Sequence, residues 1–418
     1  MKKLNLSAIW ISLTFSLILF SCSDRYQITY TERVNVPVYL SLENLRSGFA
    51  VEDNKSLKVP GKIYVYGNLL FINESFDGVH VVDNSNPSSP KFLKYIRIPG
   101  SSDISVVNNV LMANSGPDLL SVSINDLSNI KLLHREENVF FDPALVQNGQ
   151  YYVGNMEREE VKKEYGRRGW DYGFNIGMQA PEDAAFASAK NSGSNTTGIA
   201  GSTSRFAIAG NYLYVVDNTS LIPIDISNPV VPNRKVGVNL NRGTIETIFR
   251  YQGYLYIGST QGVFIYDFET NPSSPAFVSL VEHVESCDPV VVENNIAFST
   301  LRSGSRCGGF QNELLVINVS NPKNPIELKS YIFNEAPNGL SVDGNRLFIC
   351  FGIGGVKQYD ITDLNRITNN QLASDPSINA TDIILNDGVA IVTGPTGIVQ
   401  YRYEADGKLV RLSTLFAR

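Results

Sequence analysis

The phrase "GVHVVDNSNPSSP", residues 78–90, returns as "SLIPIDISNPVVP" (220–232), "GVFIYDFETNPSSP" (262–275) and "ELLVINVSNPKNP" (313–325). Repetition at a fixed period means one structural unit that cannot bury its own apolar surface and must stack on its copies. No other feature of the chain restricts its fold as much. Eight two-residue turns mark the repeat: Gly67-Asn68, Asn108-Asn109, Asn148-Gly149, Gly210-Asn211, Gln252-Gly253, Asn294-Asn295, Gly344-Asn345 and Asp387-Gly388. Gly and Asn supply the positive φ that tight hairpins need. A short β-rich run such as "FAIAG" precedes each turn, and a run of alternating character such as "YLYVVD" follows it. A third strand of the "GVHVVD" kind comes next, and a fourth after "SNPxxP", where Pro ends the third strand and Asn and Ser bond locally to the backbone.

Each unit is therefore four antiparallel strands, and the period separates this pattern from a β-solenoid, whose coils are shorter and parallel. The fold class is all-β, a β-propeller, in which blades bury one another's faces and leave only short edges. The turns recur every 40–43 residues, except for 50 between 294 and 344 and 62 between 148 and 210. An insertion of about 20 residues restores the register in the longer gap. The count is then eight blades with a degenerate third, and seven is the alternative.

The start of the chain is a separate matter. Lys2 and Lys3 precede the apolar run "LSAIWISLTFSLILF", which is too short to span a bilayer and reads as an export signal. The "LFSC" at 19–22 resembles the lipobox of bacterial lipoproteins, which implies lipid on Cys22; Ser23 after it resembles the pattern sent to the outer membrane. The expected layout is a signal peptide at 1–21, a tether and N-terminal segment at 22–60, and a propeller at 61–418 with an insertion at 156–204.

The text "GNYLYVVDNTSLIPIDISNPVVP" resembles the LVIVD-repeat family of bacterial surface propellers, and the likeness runs over roughly residues 60–418. "VYLSLENLRS", "ETIF" and "SCDPVVV…LRSGSRCGG" look like a lipid-anchored branch from Bacteroidetes. The resemblance implies the scaffold and brings no catalytic residues with it.

Three cysteines remain after Cys22. Cys287 opens the inner strand of the sixth unit and Cys307 lies in its "LRSGSRCGGF" loop, so both are expected on one face. In an oxidising compartment a disulfide between them is expected. Cys350, in "RLFICFG", reads as a small buried apolar residue.

The insertion mixes charge with Trp170, Tyr172 and Phe174, then turns rich in Ser, Gly, Asn and Thr and reads as mobile. It is either a tolerated surface loop or a binding lip. Aligning the units on their turns places Lys62, Asp103, Asp142, Arg205, Glu246, Asp288, Asn338 and Asp382 where inner strands begin, around one opening of the channel. Their five carboxylates against two cations suggest an acidic mouth, with Asp103, Arg205, Glu246, Asp288 and Asp382 as candidate ligand-orienting residues beside Trp170 and Tyr172.

A net charge of −6, without a Lys/Arg stripe, argues against nucleic acid. His80, His134 and His283 show no metal-ligand spacing, and no nucleophile elbow, H-E-x-x-H or phosphate loop is present. The expectation is a non-catalytic, monomeric outer-membrane lipoprotein without cofactor or metal, which binds an envelope protein or a glycan. A hydrolase or lyase using carboxylates at the channel mouth is the alternative.

Overall fold

The computed structural model describes residues 25–167, 198–217, 219–240, 245–282, 289–302 and 311–418, with backbone alone at 25–35 and 157–167. The chain divides into two compact units. In the smaller, residues 25–37 and 155–167 run side by side as parts of the strands Arg25–Ser41 and Gln150–Arg167.

The larger unit holds the repeats. Among the described residues seven sheets each carry four successive antiparallel positions: blade 1 at 60–97, blade 2 at 104–136, blade 3 at 206–239, blade 4 at 245–282, blade 5 at 290–332, blade 6 at 340–375 and blade 7 at 382–416. The inner strands adjoin one another in chain order, and that of blade 7, Asp382–Asn386, lies against that of blade 1, Pro60–Tyr66. The β-propeller is thus the fold. The turns take the expected conformation, with Asn108 at φ 49°, Asn294 at φ 51° and Asp387 at φ 48° in the left-handed region.

Apolar clusters lie between blades, as the repeat requires. One joins Val79, Val81 and Ile96 of blade 1 to Ile104, Val106 and Leu120 of blade 2. Another joins Ile63, Leu70 and Ile72 of blade 1 to Ile384, Ile391 and Ile398 of blade 7. Each such side chain is worth about 1.5–3 kcal/mol when fully buried. Blades 7 and 1 meet through packing and side-chain bonds: Asn84 and Gln400 exchange two hydrogen bonds of 2.9 and 2.7 Å, and Ser413 Oγ donates to Pro87 O at 2.6 Å.

Seven, the alternative count, describes these sheets, and the expected third unit is where the eight-blade count departs from them. The Asn148-Gly149 hairpin forms, but its first strand is only Val146–Gln147, both exposed. Its second strand, Gln150–Arg167, pairs with Arg25–Ser41 instead of a third strand of its own unit. The physical reason is in the sequence after the turn: "EREEVKKE" has no apolar face to bury between blades. Blades 2 and 3 meet directly, with Val110, Met112 and Val139 packed against Phe206 and Ile224.

A short helix at Leu42–Ser47 docks against Gly100, in the loop that leads into blade 2, and Gly116, in the turn between its second and third strands. Ser41 caps it by accepting from Asn44 N at 3.1 Å. Leu45 is wholly buried, and a Cβ at Gly100 or Gly116 would come within 2.6 or 2.8 Å of its side chain. Asp118, also fully buried, accepts from Arg46 Nε at 3.0 Å, Arg135 Nη1 at 3.1 Å and Asn138 N at 2.9 Å.

Candidate functional site

In an antiparallel blade the inner strand starts at the end where the second strand finishes, so the residues that open the inner strands converge on one mouth of the channel. Lys62, Asp103, Arg205, Glu246, Asn338 and Asp382 are there. Asp142 is not: it is exposed and caps a short 3-10 turn by accepting from Ala144 N at 2.9 Å. Among the described residues its unit forms no four-stranded blade, so its alignment with the others does not carry into space. Asp288, Trp170, Tyr172, Phe174, Cys22, Cys287 and Cys307 lie outside the described residues.

The rim is built around a piece of the chain itself. Residues 199–200 add a strand to the inner edge of blade 1, with Ile199 opposite Val65 and Ala200 opposite Tyr64. Gly201 N donates to Ile63 O at 2.9 Å, and Ser202, Thr203 and Ser204 are all at most 3 % exposed. Ser202 bonds to blade 7, donating from N at 3.0 Å and from Oγ at 2.6 Å to Asp382 Oδ1. Its Oγ also accepts from Leu340 N of blade 6 at 3.1 Å. Ser204 Oγ donates to Asp103 Oδ1 of blade 2 at 3.1 Å, and Ser204 O accepts from Ile248 N of blade 4 at 3.1 Å. Residues 198–204 are therefore a plug tied to five blades. The expectation that this Ser/Gly/Thr text is mobile is corrected for these seven residues. Small size is what the crowded axis demands: a Cβ on Gly201 would stand 2.4 Å from Asp382 Oδ2, and one on Gly198 would stand 2.2 Å from Val65 O.

The charges follow from this burial. Asp103 is 3 % exposed; its carboxylate pairs with Lys62 Nζ at 2.5 Å and accepts from Arg205 N at 2.5 Å and Ile104 N at 2.9 Å. Burial lowers the Lys62 pKa, while Asp103 holds it up. Asp382 is equally buried, and burial pushes its carboxyl up to about 7 against the Ser202 and Ile383 donors and the Lys62 charge. Its Oδ2 has no hydrogen-bond partner among the described residues. Burial also raises Glu246, with Arg205 and Arg302 pulling the other way. Asp103 and Asp382 thus orient the chain's own segment, while Arg205, Glu246 and Arg302 remain half-exposed.

Sequence reasoning missed Ser202, Ser204 and Arg302, whose Nη1 donates to Asn338 Oδ1 at 2.7 Å. No period marks the two serines, and Arg302 follows a second strand, Ile296–Leu301, instead of opening a first. Beneath the plug a cavity of about 20 Å³, lined by Tyr64, Ser105, Ser204, Ile248 and Arg250, has room for about one water. His80 is buried with Nε2 2.9 Å from Glu74 Oε2, and His134 pairs with Glu136 at 3.0 Å, each within a single blade. Cys350 is fully buried, and burial raises its thiol pKa well above the ordinary value.

A second concavity, of about 450 Å³, opens at Tyr39, Ala144, Leu145, Val146, Gln147 and Tyr152. The Tyr39 and Tyr152 rings lie 5.6 Å apart and are tilted by 59°. Nothing in the repeat pointed to it, because it belongs to the stretch that leaves the repeat.

The LVIVD repeat family model matches residues 61–95, 200–239, 243–282 and 308–332, which fall in blades 1, 3, 4 and 5. No curated protein matches the chain. Among solved structures, the periplasmic gluconolactonase PpgL of Pseudomonas aeruginosa is similar over 86% of this chain and 96% of its own, at 10% identity and a TM-score of 0.51. Hsv2 of Kluyveromyces lactis is similar over 86% of this chain and 100% of its own, at 9% identity and a TM-score of 0.49. BamB of Moraxella catarrhalis is similar over 90% of this chain and 99% of its own, at 8% identity and a TM-score of 0.48. At 10% identity the likeness to the gluconolactonase is one of fold alone. The chain carries LVIVD repeats on a propeller scaffold.

Proposed function

We propose that this chain is a non-catalytic binding scaffold of the cell envelope, tethered by lipid on Cys22, whose propeller presents loops to an envelope protein or a glycan. The observation that carries the reading is the plug. A propeller enzyme working with carboxylates at the mouth needs them exposed to substrate, whereas Asp103 and Asp382 are covered and bonded to residues 198–205. What is left to a partner is the surface around them: Arg205, Glu246 and Arg302, the loops beside the 42–47 helix, and the insertion. A rigid scaffold whose two central carboxylates are covered by its own chain suits the presentation of fixed loops. The lipid tether follows from "LFSC" after the apolar run, and more than one acyl chain is needed for stable anchoring.

The test uses the purified chain as bait on solubilised envelope fractions and on a glycan panel, in parallel with turnover assays on lactone and glycoside substrates. Saturable capture without turnover supports the scaffold. Turnover that disappears in both Asp382→Asn and Glu246→Gln would replace it with the enzyme.

A further inference from the structure

The geometry points to the Tyr39/Tyr152 concavity as a binding site for the pyranose ring of a neutral glycan; this rests on the binding-scaffold reading and names its ligand class. The argument begins with register. Val146 stands opposite Tyr151 and Gln147 opposite Gln150. Opposed residues share a face and successive residues alternate, so Gln147, Gln150 and Tyr152 share one face and Val146 and Tyr151 the other. At Tyr151 that second face is turned inward, whereas Val146, at the strand edge, is exposed and lines the concavity from its side. The Tyr151 side chain is 4 % exposed, stacks on Phe141 at 5.8 Å and donates to Phe140 O at 3.1 Å. The backbone that carries Tyr152 is therefore anchored by the buried Tyr151 beside it, which fixes where the Tyr152 ring stands before any ligand arrives.

The outer face carries the two half-buried tyrosines and the exposed Gln147. Among the described residues the six that line it carry no charge. That composition offers nothing to neutralise a phosphate, a carboxylate or an amine, and removing such a group from water without a counter-charge is costly. A neutral sugar has the complementary chemistry: an axial C–H face that packs on an aromatic ring, and equatorial hydroxyls that trade hydrogen bonds with an amide such as Gln147, which both donates and accepts. The tilt of 59° between the rings gives one ring as a floor and the other as a wall. A volume of about 450 Å³ falls in the roughly 300–1,000 Å³ range of small-ligand sites and suits one or two sugar residues.

The experiment titrates the purified chain by calorimetry with neutral cello-, xylo-, manno- and malto-oligosaccharides, using a sialylated and a sulfated glycan as charged controls. The expected result is binding of at least one neutral series, weakened about tenfold or more by Tyr152→Ala and by Tyr39→Ala and largely kept by Tyr152→Phe. Gln147→Ala, an exposed change that leaves folding intact, should weaken it as well. Absence of binding to every neutral series overturns the assignment, as does preference for the charged controls or wild-type affinity in both Tyr152→Ala and Gln147→Ala. If envelope capture succeeds and is untouched by these variants, the scaffold reading stands and the glycan site falls. If no capture and no sugar binding occur, both fall.

Discussion

Replacing Asp382 by asparagine should remove a pH dependence that this one carboxyl imposes on the whole propeller. Burial raises its pKa from an ordinary 3.8 to about 7. Between those values the folded chain holds a proton that the unfolded chain has released, so folding is favoured at the acid end and loses stability as pH rises through about 7. At about 1.4 kcal/mol per pH unit the full effect is about 4 kcal/mol, of which about 3 falls between pH 5 and pH 8. The other carboxylates slope the opposite way: Asp77 and Asp375 are held below their usual range by the donors around them despite their burial, so they favour folding at higher pH. The raw pH profile of one protein therefore hides the effect, and the difference between wild type and variant isolates it. Asparagine keeps an oxygen to accept from Ser202 and Ile383, and its nitrogen takes the place of Oδ2, which has no partner to lose. Urea unfolding of both proteins at pH 5, 6, 7 and 8 should show wild type losing about 3 kcal/mol relative to Asp382→Asn across that range, most of it below pH 7. A difference that stays flat with pH would refute the reasoning, because the carboxyl would then titrate alike in the folded and unfolded chains.

The plug makes two deletions unequal. Removing 168–197 should leave the melting temperature nearly unchanged, whereas extending the cut to 203 should lower it sharply, since residues 198–203 hold bonds to blades 1, 6 and 7; equal melting curves would show that the plug contributes nothing. Leu45→Ala, at a fully buried position wedged against Gly100 and Gly116, should cost about 2–5 kcal/mol in urea unfolding, and a cost under about 1 would mean that the 42–47 helix does not stay docked. Cys22→Ala should release the chain from carbonate-washed membranes; retention would count against the lipid tether. Mass spectrometry of unreduced peptides should find Cys287 joined to Cys307 and Cys350 unmodified, and a bridge that includes Cys350 would contradict its burial.

The strands and their order were legible because their signals are local. Period-two alternation in "GNYLYVVD" and left-handed turns at Asn108, Asn294 and Asp387 need no distant residue to be interpreted. The gathering of Lys62, Asp103, Arg205, Glu246, Asn338 and Asp382 was legible for a related reason, since the turn fixes how far each stands from its hairpin. The failures share the opposite property. Asn148-Gly149 is a sound local hairpin signal, yet membership of a blade depends on what the next strand can bury, and "EREEVKKE" can bury nothing. Likewise "GIAGSTS" has the composition of a flexible linker and of a filler for a crowded axis, and only the close approaches of Gly198 and Gly201 separate the two.

These two failures are connected through geometry. Ser202 reaches Asp382 in blade 7 and Ser204 reaches Asp103 in blade 2, although two residues of extended chain span at most about 7 Å. So short a bridge works only if blades 7 and 2 approach each other closely across blade 1, and a ring widens as blades are added. An eighth blade at 143–167 would separate blade 2 from blade 3 and open the gap that Arg205 N now closes on Asp103. The stretch that does not insert between blades 2 and 3 is thus what lets Ser204 bond to blades 2 and 4 at once. A chain in which 143–167 did insert would put two blades between Asp103 and Ile248, and Ser204 could no longer bond to both, which would leave one buried polar group unpaired at a cost of about 1–3 kcal/mol.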